Sequence, residues 1–227
     1  MGKITIAIDG PAGAGKSTIA KIISKALDVI YLDTGAMYRA VALKALREGI
    51  DTKDEKKISL LVEDVDIRIG YSNNEQRVFL DEEDVSDKIR TPEVSIGASN
   101  VSAIRSVRIK MVDIQREIAE QNNVVMDGRD IGTYVLPDAV YKFFLTASIE
   151  ERAKRRYLEQ NSKGGANITL EEVKNDIEYR DTNDSSREFA PLSKACDAIE
   201  IDTTDMTASE VAEKILYLIK EIEISKK

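Results

Sequence analysis

Lys3–Asp9 (KITIAID) runs directly into Gly10-Pro11-Ala12-Gly13-Ala14-Gly15-Lys16-Ser17-Thr18. The first seven residues are apolar and β-branched and stop at Gly10-Pro11, the mark of a strand entering a loop. From Ser17 onward Ile19, Ile22, Ile23, Ala26 and Leu27 recur at helical spacing. Strand, glycine loop and helix therefore follow one another, and the loop matches G-x-x-x-x-G-K-[S/T]. Glycines let successive backbone N–H groups converge on phosphate oxygens with no Cβ in the way. The helix that follows presents its amino-terminal amides and dipole to the same anion. Lys16 would reach the outer phosphates, and the Ser17 hydroxyl suits a Mg²⁺ ion.

Working outward, Val29–Leu32 is a second short strand, and 36–48 reads as a helix stopped by Gly49. Residues 61–87 change character. Ile67/Ile69 and Val78/Leu80 alternate with charged neighbours around Ser72-Asn73-Asn74, which predicts a small β-rich insertion. Thr91-Pro92 opens another helix, and Val107, Met111, Ile114 and Ile118 continue a helical stripe. Val124–Asp127 and Val140–Leu145 are buried-strand candidates. A charged helix over 149–161, a Gly164-Gly165 break, a helix over 169–181, a strand over 198–202 and an amphipathic helix through Val211–Ile222 complete the chain. Strands separated by helices imply crossovers, hence an α/β fold of the P-loop NTPase type, with a parallel sheet covered by helices on both faces. The expected organisation is a core of 1–60 and 88–227, the β-rich insertion at 61–87 and a short helical lid at 150–168.

The 227 residues carry 33 Lys+Arg and 41 Asp+Glu, a formal net charge of −8. That balance argues against non-specific binding to nucleic acid or an anionic membrane. No apolar run approaches the ~18 residues of a membrane span, and a cytoplasmic, monomeric protein is the expectation. There is one cysteine, Cys196, read as a packing residue, and no histidine. An intrachain disulfide, multi-cysteine zinc sites and histidine bases are thereby excluded. Phosphoryl transfer suits such a chain, because it needs positioning and cations more than covalent chemistry. With no N-K-x-D motif for a guanine base, a small kinase ranks ahead of a nucleotide switch, and an acidic chain makes a nucleic-acid binder the weakest alternative.

Other residues support two readings each. Asp127 ends an apolar run, where it could hold a magnesium-bound water or cap a turn. Arg152, Arg155 and Arg156 share one helix face, as lid arginines closing over a phosphate or as a solvated charged surface. Arg180, Asp184 and Arg187 are spaced for an intrahelical ion-pair network or for a ligand. Tyr38 could be an ordinary half-buried aromatic or part of a pocket wall.

Taken together, GPAGAGKST (10–18), LDTGAMYR (32–39), DGRDIGT (127–133), VLPDA (135–139) and RDTNDSSREFAPL (180–192) resemble the bacterial cytidylate kinase family over nearly the full chain. The resemblance implies transfer of a phosphoryl group from ATP to CMP or dCMP with Mg²⁺, with nucleotides as the only partners. It implies that Thr34, Tyr38 and Arg39 hold the acceptor nucleotide, with Arg39 and Arg129 near its phosphate. Ser99, Arg108 and Asp130 match positions that read the cytosine edge. Arg180 and Asp184 match ribose and phosphate contacts, and Arg187 a further phosphate-facing arginine. Lys16, Arg155, Arg180 and Arg187 are the expected catalytic cations, and Gly10–Thr18 the ATP cradle. The chain departs from the family in two places. Asn183 stands where an arginine is common, and Ala103–Val107 lacks a usual proline, which leaves Arg105 as an alternative to Arg108.

Overall fold

A computed structural model describes residues 3–72, 75–162 and 168–225. Asn73, Asn74 and the Gly164-Gly165 break lie outside the described residues, as does most of the 163–168 end of the expected lid. The strands are β1 (Thr5–Asp9), β2 (Ile30–Asp33), β3 (Ile67–Ser72), β4 (Glu75–Leu80), β5 (Glu83–Asp84), β6 (Val124–Gly128), β7 (Tyr141–Thr146) and β8 (Ile199–Asp202). The helices are α1 (Lys16–Leu27), α2 (Thr34–Arg47), α3 (Glu55–Asp64), α4 (Pro92–Ser102), α5 (Arg105–Gln121), α6 (Ile149–Ser162), α7 (Leu170–Ser186) and α8 (Ala208–Ser225).

Five strands form a wholly parallel sheet in the order β2-β6-β1-β7-β8. The chain runs from β1 past the position of β6 to β2, returns to β6, and then crosses to β7 on the far side of β1. Strand order reverses there, which opens a crevice at the carboxyl ends of β1 and β6. Side chains of β1 alternate between the two faces. Ile6 and Ile8 pack with Ile19 and Ile23 of α1 and Ile215 and Ile219 of α8. Ala7 faces the other way, into Leu32, Met126 and the α5 residues Val112 and Ala119. Phe143 is fully buried in the first of these layers, and removing its ring would cost about 3–5 kcal/mol.

The alternating stretch forms an antiparallel sheet, β3-β4-β5, over a second core of Met37, Val41, Ile58, Val78 and Leu80. Residues 61–64 differ from expectation, since they close α3 and are not strand. The Asp54 side chain caps that helix by accepting from Lys57 N. Helix α2 starts two residues early because Asp33 accepts from Ala36 N. Helix α7 continues past 181 to Ser186 and carries Asp184 with it. A π-helical turn at Ile131–Val135 had no sequence signal.

Edge strand β2 is covered by side chains of the small sheet. Tyr71 Oη donates to Tyr31 O at 3.1 Å. Gln76 accepts from Asp33 N at 2.7 Å and donates to Asp33 O at 3.3 Å, closing the edge as a third strand would.

Candidate active site

The crevice is a cavity of about 770 Å³, with the glycine loop at one end. Gly10 has φ 146°, and a Cβ there would lie 2.0 Å from Leu145 O on β7, so only glycine fits so close to the neighbouring strand. Gly15 caps α1 in the left-handed region at φ 85°. Ala12, Gly13, Gly15, Lys16, Ser17 and Thr18 line the cavity, whereas Gly10, Pro11 and Ala14 do not. The loop is also pinned from outside. Ala12 N donates to Asp181 Oδ1 at 3.1 Å, Arg152 Nη1 donates to Ala12 O at 2.9 Å, and Arg152 pairs with Asp181. Arg152 is thereby committed to holding the loop.

Lys16 is buried and donates to Pro11 O at 2.6 Å. Burial, then the guanidinium of Arg129, push its ammonium down to about 7 against the pull of Asp127. Ser17 Oγ donates to Asp127 Oδ2 at 2.8 Å, and Tyr31 Oη donates to Asp127 Oδ1 at 2.8 Å. Asp33 is the register partner of Asp127 across β2 and β6, and burial and this second carboxylate push Asp127 up. Among the described residues no cluster of three or more carboxylate, histidine or cysteine groups could hold a metal. A hydroxyl beside one or two carboxylates fits instead a Mg²⁺ ion that keeps several waters and is completed by substrate phosphates.

At the far side of the cavity the polar groups are side chains from separate elements. Arg39 Nη2 donates to Asp33 Oδ2 at 2.7 Å. Arg129 Nε donates to Asp184 Oδ2 at 2.7 Å. The Arg180 side chain makes no hydrogen bond among the described residues. Burial, then Arg129, push it down to about 10. The Nε atoms of Arg39, Arg108 and Arg180 are all buried without a hydrogen-bond partner. Buried donors left unmatched are costly, so this cluster is built to receive an anion. Further in, Arg108 is 1% exposed, pairs with Asp130, and sits 5.5 Å from the Tyr38 ring centroid. Arg187 Nη2 reaches the other Asp130 oxygen at 3.4 Å. Ser99 Oγ donates to Asp184 Oδ1 at 3.1 Å, and Thr34 Oγ1 donates to Asp127 O at 2.7 Å. Burial would raise Asp184, but Arg129, Arg180 and Arg187 hold it below the usual carboxylate range.

Every predicted acceptor residue lines this one cavity: Thr34, Tyr38, Arg39, Ser99, Arg108, Arg129, Asp130, Arg180, Asp184 and Arg187. Arg105 instead lies over the Phe189 ring at 4.9 Å, so Arg108 is the arginine of the cavity. Arg155 also lines it, but its guanidinium holds the β8–α8 loop. It donates to Thr203 Oγ1 at 3.0 Å and to the carbonyls of Thr203, Thr204 and Met206, which ties it to that wall. Arg156, on the same helix, also lines the cavity and is close enough to depress Arg180.

Three residues escaped sequence reasoning. Asp33, Asp9 and Asp181 had no assigned role. Asp9 Oδ1 and Oδ2 accept from Ile131 N and Gly132 N, both at 2.8 Å, tying the start of the glycine loop to 127–133. Burial pushes Asp9 up to about 7 in spite of these bonds. Asp9 and Asp33 each end an apolar run as Asp127 does, and that shared position was the available signal.

Comparison with known proteins agrees with this geometry. The family model described as cytidylate kinase matches residues 6–221. The cytidylate kinase of Clostridioides difficile (strain 630) is 56% identical over 219 residues, covering 96% of this chain and 99% of the relative. That of Caldicellulosiruptor bescii is 54% identical over 222 residues, covering 98% of each. In structure, a gluconokinase from Sinorhizobium meliloti 1021 matches with a TM-score of 0.51 and 12% identity, covering 99% of this chain and 96% of that one, a likeness of fold alone. A match over nearly the whole chain, at more than half its residues, makes this chain a member of the cytidylate kinase family.

Proposed function

We infer that the cavity holds two nucleotides end to end, with ATP on the glycine loop and CMP or dCMP among the arginines. Family membership makes the chain an ATP-dependent cytidylate kinase, and the site chemistry follows from its parts. The observation that carries the arrangement is the half-buried cluster of Arg39, Arg129 and Arg180, which lines the same cavity as Lys16 and carries more cation than its partners Asp33 and Asp184 neutralise.

In this reading Gly10–Thr18 cradles the ATP phosphates through backbone N–H groups, and Lys16 follows the outer phosphates. Arg39, Arg129 and Arg180 hold the CMP phosphate, and its oxygen attacks the γ-phosphorus in line. That oxygen is already anionic near neutral pH, so no general base is needed, in keeping with a chain that lacks histidine. Ser17, with Asp127 through water, would hold Mg²⁺, which supplies neutralising charge on the phosphates. Arg180 and Arg187, with Arg156 from α6, would surround the developing charge, and Arg155 would keep the wall beside the β8–α8 loop in place. Asp184 meets the ribose, while Thr34, Tyr38, Ser99, Arg108 and Asp130 surround the base. Closure of the 150–168 lid and the 61–87 insertion onto the core would exclude water, so that ATP is not simply hydrolysed.

No described helix is long and apolar enough to cross a membrane, and the chain is acidic. Both features support a protein that binds neither nucleic acid nor membrane, and we propose a cytoplasmic monomer; sedimentation and salt-dependent RNA binding would test these readings. The activity test follows ADP formation from ATP and Mg²⁺ while CMP, dCMP, UMP, AMP, GMP and dTMP are added singly. Fast release with CMP and dCMP, weak release with UMP and little with the others is expected. Release driven by a different base would remove the acceptor assignment, and release independent of any acceptor would remove the kinase reading.

A further inference from the structure

Ser99 has a fixed hydrogen-bond polarity, which Asp184 and Asn183 hold together. Asn183 Nδ2 lies 2.9 Å from Ser99 O and 2.9 Å from Ser99 Oγ. The first partner is a backbone carbonyl, which only accepts, so the amide nitrogen and not the amide oxygen must face Ser99. Ser99 Oγ therefore accepts from Asn183. Its other neighbour is Asp184 Oδ1 at 3.1 Å. Asp184 is ringed by Arg129, Arg180 and Arg187, which keep it ionised and able only to accept. The Ser99 proton therefore goes to Asp184. One lone pair goes to Asn183, and one remains, on a residue that lines the cavity.

We propose that Asn183 is a specificity-determining positioning residue: with Asp184 it holds the Ser99 hydroxyl as a pure acceptor toward the cavity. Such a group takes an amino donor and opposes a carbonyl oxygen. A 4-aminopyrimidine base is then accepted at this point, and a 4-oxopyrimidine meets lone pair against lone pair. The inference rests on the reading that the acceptor base lies at the Ser99–Arg108 end of the cavity. Nothing in it requires Asn183 to touch the nucleotide.

The test compares kcat/KM for CMP, UMP and the monophosphate of the 4-unsubstituted pyrimidin-2-one nucleoside, which offers neither donor nor acceptor at that position. The intact chain should rank them CMP, then the unsubstituted analogue, then UMP. Asn183→Leu keeps bulk and removes the donor, so the Ser99 side chain loses one of the two contacts that hold it in place against Asp184, and the three substrates should converge. The CMP-over-UMP ratio should fall roughly tenfold, the scale of one mismatched polar contact, with Tm unchanged. Asn183 is half-buried, and Asn183→Ala should give the same ratio, which excludes leucine bulk as the cause. A purely structural role would lower all three substrates together. If Ser99→Ala collapses the ratio while both Asn183 variants keep it, the proposal is overturned and the base placement stands. If Ser99→Ala also keeps the ratio, the base does not lie at Ser99, and the reading beneath the proposal falls with it.

Discussion

At one end of the cavity a single contiguous loop, Gly10–Thr18, offers backbone N–H groups to a polyphosphate. At the other end several of the polar contacts join distant parts of the chain. Ser99 and Asp184 are 85 residues apart, Arg129 and Asp184 are 55 apart, and Arg187 and Asp130 are 57 apart. On the proposed reading the first end recognises what all nucleoside triphosphates share, so a backbone cradle set by glycine φ angles suffices. The second must tell one base from another, which takes side-chain donors and acceptors at fixed positions. The difference also sets how each end fails: a cradle depends on one loop's shape, whereas a constellation depends on the packing of α2, α4, α5 and α7 around it.

The comparison can be broken most forcefully at Lys16. Lys16→Met should lower kcat by about 10²–10³-fold, the usual result of losing one preorganised charge at a developing anion, while circular dichroism and CMP binding stay unchanged. At the other end, the Arg180 side chain makes no hydrogen bond among the described residues and is crowded by Arg129. Arg180→Ala should therefore cut kcat/KM for CMP by about 10²-fold, leave the KM for ATP near its original value, and not lower Tm. A drop in Tm would mean that Arg180 serves the fold.

The Arg152–Asp181 pair sharpens the contrast, because it lends the cradle two side chains after all. Asp181→Asn should destabilise by about 1–3 kcal/mol by stranding a buried guanidinium, and should weaken ATP binding more than CMP binding. An equal loss for both would show that α6 and α7 support the whole cavity and not the loop alone. The smallest effect is protonic. Lys16 is held down to about 7 by burial and by Arg129 on the acceptor side. At pH 8 it is mostly neutral, and bound phosphates favour its charged form, so ATP binding without metal should take up about one proton. Calorimetry in buffers of different ionisation enthalpy would read that uptake, and Lys16→Met should abolish it.

The same contrast explains what could be read from the chain itself. The loop was legible because its chemistry lies in consecutive residues between a strand and a helix. The acceptor residues were legible only through family resemblance, since nothing in the sequence brings Ser99 to Asp184. Arg155 was expected at the phosphate because helical spacing reveals which face a residue occupies. It does not reveal that Thr203, Thr204 and Met206 offer their carbonyls to that face. Asp9 and Asp33 carried the strand-end signal assigned to Asp127 and were passed over. Their roles depend on β1 and β2 lying either side of β6, an order fixed by the three-dimensional topology.

The separation of the two ends is tested most directly by titrating ATP and CMP, each alone, into Lys16→Met and Arg39→Ala. Lys16→Met should lose affinity for ATP and keep it for CMP, and Arg39→Ala should do the reverse. Equal loss of both ligands in either variant would contradict two separate ends, and the reverse pattern would exchange them.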